Sequence, residues 1–155
     1  MRWSTAPLAA VAALLSAGLT MPAAAAPDGG AIYGRCAACH TRTGAGVPGA
    51  FPPLATDFRN LAAKPEGRRY LALVVTRGVS GPITVEGKPY RGIMPAQALD
   101  DAAVAAVLNH LGTAIATSGP AFRPFTEAEV AELRASGSAL SGADVGRLHA
   151  GAGGR

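Results

Sequence analysis

The chain has 155 residues, 49% of them of apolar type, with 20 glycines, 12 prolines and a formal net charge of +4. That is chain enough for one domain with a modest core. The mild basic excess is spread out, with no lysine or arginine cluster, which argues against nucleic acid as a partner.

Arg2 is followed by an apolar run from Leu8 to Leu19, broken only by Ser16 and Gly18, and then by Met21-Pro22-Ala23-Ala24-Ala25-Ala26. This order predicts a secretory signal peptide over 1–25, cut after Ala25, with Ala23 and Ala25 as the small-residue site. Left uncut, the run would act as an N-terminal anchor, although it is shorter than the ~20 residues that span a bilayer. No later segment is apolar enough to span, so the mature chain is expected to lack a transmembrane segment and to work in the periplasm. Its domain is expected over 26–117, with a C-terminal extension over 118–155.

Asp28 is an N-cap candidate for a first helix ending near His40, with Ile32, Tyr33 and Cys36 on one face. Gly29 and Gly30 suit a first turn that another backbone approaches closely, or else a loop before the helix. The helix ends in Cys36-Ala37-Ala38-Cys39-His40, which contains the only two cysteines of the chain. Two thiols three positions apart with an imidazole next to them form the attachment signature of covalent haem c. One helical turn brings both sulfurs to one porphyrin edge, and the imidazole is then the proximal ligand of the iron. A thioredoxin-like dithiol would need a strand–helix alternation that is not visible here. A structural zinc site would need a fourth ligand beyond this motif, from His110, His149 or a carboxylate. Aromatic residues make up only 5% of the chain, and a porphyrin would supply the missing core.

Residues 43–54 are rich in glycine and proline and predict a loop against the porphyrin edge, with Phe51 and Leu54 as apolar cover. The carbonyl of Pro52 is the candidate acceptor for the Nδ1–H of His40. Pro65 and Gly78 bracket a helix over 65–77 whose buried stripe is Tyr70, Leu71, Val74 and Val75; Arg68, Arg69 and Arg77 are expected on its solvated side. A short hairpin over 79–92 is limited by Pro89.

Met94, between Gly92 and Pro95, is the only methionine left once the signal is removed. It is the candidate distal ligand, with His110 and His149 as competitors, and a packing role is the other reading of a lone methionine. Asp100 predicts the N-cap of a third helix, with Leu99 and Val104 as its staple. Val104, Val107, Leu108 and Leu111 form its buried line, and its alanines allow the first helix to approach. After a linker over 118–125, Thr126 and Glu129 predict a capping box with Phe125 and Val130 as staple. Leu140 to Val145 echoes that pattern and predicts a second short helix over 141–149, followed by a frayed glycine-rich end.

Three stretches together, Cys36-Ala37-Ala38-Cys39-His40, Gly46-Val47-Pro48-Gly49-Ala50-Phe51-Pro52-Pro53-Leu54 and Gly92-Ile93-Met94-Pro95, resemble the class I c-type cytochromes. The similarity runs over about residues 29–115 and is greatest to the bacterial monohaem type that serves dehydrogenases and respiratory oxidases. It implies a small all-α fold around one covalent haem, with the N- and C-terminal helices crossed and a C-terminal helical extension. It implies Cys36 and Cys39 as the haem attachment points, His40 and Met94 as axial iron ligands, and single-electron transfer rather than enzymatic turnover. Residues 118–136 resemble the tail of dehydrogenase-associated cytochromes. The lysine-rich face and propionate-binding tryptophan of mitochondrial-type cytochromes are missing, which leaves Arg77, Tyr90 and Arg91 as propionate candidates. The expected role is a carrier, or the cytochrome subunit of an exported dehydrogenase, with a dehydrogenase or terminal oxidase as redox partner. The alternative is a haem protein with an open iron site, acting as a peroxidase or ligand sensor.

Overall fold

The computed structural model of the chain describes Met1 and residues 25–154. The expected signal peptide lies almost wholly outside the described residues. Six α-helices dominate the described residues: α1 (Gly29–His40), α2 (Phe58–Ala62), α3 (Pro65–Arg77), α4 (Asp101–His110), α5 (Glu127–Ala135) and α6 (Gly142–Gly151). Among the described residues, no helix is long and apolar enough to cross a membrane.

The first helix starts where the sequence places it, because the Asp28 carboxylate accepts hydrogen bonds from the Gly30 and Ala31 amides. Its main partner is α4. A Cβ at Gly29 would sit 2.1 Å from the Ala106 carbonyl oxygen, so the glycine lets two backbones touch at the crossing. Asp100 caps α4 through the Ala103 amide, and Val104, Val107 and Leu108 are buried. Beyond His110 the helix widens into one π-helical turn, Leu111–Ile115. The Gly112 carbonyl there accepts two hydrogen bonds from the Arg59 guanidinium.

Between α3 and α4 the chain forms two small antiparallel ladders. The expected hairpin is present as β2 (Ile83–Val85) and β3 (Lys88–Tyr90), with Ile83 opposite Tyr90. A second ladder goes beyond the expected hairpin: β1 (Val79–Ser80) pairs with β4 (Ile93–Met94), setting Val79 opposite Met94. That pairing ties the Met94 loop to the end of α3.

The helical extension departs from the expected layout in two ways. Of the α3 arginines expected on the solvated side, Arg77 is exposed and Arg69 half-buried, but Arg68 is not solvated. Arg68 is 4% exposed and bonds Glu129 as well as the carbonyls of Ala62, Arg123 and Pro124. Arg69 bonds Ser136, and Arg77 donates twice to the Leu140 carbonyl. A long aliphatic stem with a fan of donors lets arginine staple a crossing segment by its carbonyls. The extension is therefore sewn to α3 along its length. The glycine-rich end is not frayed either: α6 runs to Gly151, Ala152 is buried, and the Gly154 amide bonds the His149 carbonyl.

The two expected capping boxes separate. At α6 the box is complete: Ser141 accepts from the Asp144 amide, and the Asp144 carboxylate accepts from the Ser141 amide. At α5 only half forms. Thr126 accepts from the Glu129 amide, but the Glu129 carboxylate turns to Arg68 and Arg123. A buried guanidinium outcompetes a backbone amide for that carboxylate.

Candidate functional site

α1 ends by delivering Cys36, Cys39 and His40 into a cavity whose wall is otherwise largely apolar. Phe58, Leu61, Leu71, Val75, Val79, Leu108 and Leu111 contribute to it, and Phe51, Pro52 and Leu54 close it from the following loop. Met94, half-buried and held by β4, lines the same cavity. Cys36 and Cys39 are not joined in a disulfide, so both sulfurs are available for other bonds.

The loop after α1 sets the orientation of His40. The Tyr33 hydroxyl donates to the Thr41 carbonyl at 2.9 Å, and the Gly46 amide bonds the His40 carbonyl at 3.0 Å. Gly46 takes φ +66, and a Cβ there would lie 2.4 Å from the Phe51 carbonyl oxygen; glycine alone fits this return. Val47 and Phe51 then exchange two backbone hydrogen bonds at 2.8 Å, which folds the chain back on itself. The result is a 2.9 Å contact between His40 Nδ1 and the Pro52 carbonyl oxygen. A carbonyl only accepts, so Nδ1 carries the proton and Nε2 keeps its lone pair. Burial pushes the His40 pKa below its ordinary value, against a smaller opposing effect of the Pro52 bond. The ring is thus held neutral, as a metal-ligating imidazole must be. Burial raises the Cys36 thiol above its ordinary value.

The competing histidines go elsewhere or take another place. His110 packs its ring against Tyr33, with centroids 5.5 Å apart, and does not line the cavity. His149 does line it and is 4% exposed, with Nε2 3.1 Å from Asp57 Oδ2. Sequence reasoning places His149 in a weak tail; its only signal is the repeat that predicts α6. Of the propionate candidates, Tyr90 lines the cavity, whereas Arg77 is taken by Leu140 and Arg91 is exposed and outside the lining. No cluster of three or more histidine, cysteine, aspartate or glutamate residues fit for a metal ion occurs among the described residues, so the zinc reading gains nothing.

A flat apolar ring with two vinyl groups and a central iron fits these walls: two thiols and a lone-pair nitrogen face an apolar slot, and a thioether shares it. The cytochrome c family model matches residues 26–114. The chain belongs to the cytochrome c family. It is 48% identical over 128 residues to a cytochrome c-552 of Thermus thermophilus, a match covering 81% of this chain and 84% of that protein. A second Thermus thermophilus cytochrome c-552 is 50% identical over 111 residues, or 70% of this chain and 85% of the relative. Membership makes this a class I c-type cytochrome: a helical, electron-transferring protein with covalently bound haem c.

Proposed function

We propose that Cys36 and Cys39 form the two thioether bonds to haem, that His40 Nε2 and the Met94 sulfur are the axial iron ligands, and that Pro52 fixes the His40 ring. The protein then carries single electrons outside the cytoplasm, after removal of residues 1–25, for an exported dehydrogenase or a terminal oxidase. In this reading residues 26–117 form the cytochrome domain and 118–155 an extension packed on it. The observation that carries it is the 2.9 Å contact from His40 Nδ1 to Pro52, which leaves one basic nitrogen for the cavity that Cys36, Cys39 and Met94 also line.

Haem bound in this cavity supplies the one-electron couple. The chain does the rest. Pro52 orients the imidazole and keeps its donor nitrogen basic. Met94 is a soft donor that favours the ferrous state and so raises the potential. The apolar wall keeps water from the centre. Ile93, 78% exposed, and Phe51, 37% exposed, border the cavity and offer an apolar rim for a transient partner.

The test is Met94→Ala. The reading expects one haem per chain by mass in both proteins. It expects loss of the far-red band of methionine-ligated ferric haem, and a lower potential, in the variant. Ferrous wild type should resist carbon monoxide and M94A should bind it. An unchanged spectrum and potential in M94A would remove Met94 from the iron; carbon monoxide binding by wild type at neutral pH would support the open-site alternative.

A further inference from the structure

One part of the cavity wall is unlike the rest. Apart from His40, the buried acid and base that line it are Asp57 and His149, each 4% exposed. Asp57 is the N-cap residue of α2 and His149 comes from α6. Tyr70 of α3, also buried and also in the lining, sets its ring edge-on to His149 with centroids 5.2 Å apart. Three separate elements therefore bring polar groups to one place in an apolar cavity. Burying such groups costs free energy unless they meet charge or hydrogen-bonding partners.

We propose that this cluster is the haem carboxylate site, in which His149 and the Tyr70 hydroxyl hold a propionate and Asp57 holds the His149 ring. The inference rests on the thioether attachment proposed above. On the macrocycle the two propionates lie away from both vinyl groups. With the vinyls bonded to Cys36 and Cys39 on α1, the carboxylates are directed away from that helix. α1 packs mainly on α4, whereas α6 packs on α3, β1 and β2. The cluster is thus carried by elements other than the one holding the sulfurs.

The chemistry suits a carboxylate. His149 Nε2 faces Asp57 Oδ2, and the second ring nitrogen makes no hydrogen bond among the described residues. An imidazole set between two carboxylates serves both as an imidazolium, donating from each nitrogen. Burial, with the Asp57 charge adding to it, holds the Tyr70 phenol well above its ordinary pKa, so its hydroxyl stays a donor. The consequence reaches the extension: α6 is then part of the cofactor site and not only a cover for it.

The test uses full-length, haem-loaded wild type, H149Q, Y70F and D57N, with haem carbon-13 labelled at its carboxyls. Covalent haem is first confirmed by mass. Removing a cation beside the haem favours the ferric state, so H149Q should shift the ferric-to-ferrous equilibrium about tenfold, or 59 mV lower for one electron. D57N, which removes a negative charge, should shift it upward. Y70F, which changes no charge or shape, should move the labelled carboxylate stretching band. A purely structural pair would instead lower the melting temperature in H149Q and D57N and leave potential and band alone, and that result would overturn the proposal. Should H149Q fail to fold, an unmoved band in Y70F would overturn it as well. Wild type without covalent haem would sink the attachment reading together with this one; attached haem with unmoved readouts would sink only this one.

Discussion

Glu129→Gln tests how the extension is held, and its size can be worked from the structure. Glu129 meets Arg68 through Oε1 at 2.5 Å and Oε2 at 2.7 Å, and Arg68 also lies 3.6 Å over the Phe125 ring. The Arg68 hydrogen bond, more than the weaker one from Arg123, brings the Glu129 carboxyl down to about 2. Against its ordinary 4.5 that fall is worth about 3 kcal/mol at 1.36 kcal/mol per pKa unit. The Glu129 side chain keeps 20% of its exposure, so about 2–3 kcal/mol is expected after screening. Because the folded pKa is the lower one, this stability is fully present above about pH 4.5 and is lost as pH falls toward 2. The assay is urea unfolding of the haem-loaded protein and of E129Q at several pH values, followed by far-ultraviolet circular dichroism. The difference between the two should be about 2–3 kcal/mol at pH 7 and should shrink by more than half by about pH 3. A difference below about 0.5 kcal/mol at pH 7, or one that does not change with pH, would refute the reasoning.

Three further outcomes are expected. Gly29→Val puts side-chain atoms where the Ala106 carbonyl stands and should cost about 2–3 kcal/mol by forcing α1 and α4 apart, read as a lower urea midpoint; an unchanged midpoint would contradict the close crossing. Tyr33→Phe removes the hydrogen bond to Thr41 and should cost about 1 kcal/mol in the same assay while one covalent haem per chain remains; loss of haem would assign Tyr33 a different role. Arg42, Lys88 and Arg91 are exposed and available for steering, and Arg77 is exposed too and keeps its charge while donating to the Leu140 carbonyl. Reduction by a small anionic reductant should therefore slow as salt is added, and a flat salt response would exclude steering by these charges.

What the sequence makes legible is what local chemistry decides. Asp28, Asp100 and Ser141 each start a helix because a short carboxylate or hydroxyl caps the nearest free amides, and those bonds need no tertiary partner. The hairpin follows from β-branched residues ahead of Glu86-Gly87. Pro52 is legible as an acceptor because the attachment motif requires one for its histidine and the loop offers few rigid carbonyls. The failures share the opposite property. Five-residue α2 carries too little periodicity to be seen, and the β1–β4 pairing joins two-residue strands that lie far apart along the chain. Arg68 reads as solvated because an amphipathic pattern cannot tell a charge that faces water from one that faces a glutamate 61 positions later.

The same distinction divides the haem site. The half near α1 is contiguous in sequence, from Cys36 to Leu54, and each residue there is placed by bonds to close neighbours. The other half is assembled by docking. His149 reaches the cavity because Val145 packs α6 into the core, because Arg68, Arg69 and Arg77 fasten the extension along α3, and because Gly142 and Gly146 let α6 lie close to Ser80. A Cβ on Gly146 would come within 2.9 Å of the Ser80 carbonyl oxygen, so even one methyl group would push α6 outward. Loosening the arginine staples should then be felt at His149 before it is felt at His40, which the α1 loop holds independently. This ordering follows from which bonds hold each histidine: Pro52 and Gly46 for one, and a helix carried from the far end of the chain for the other.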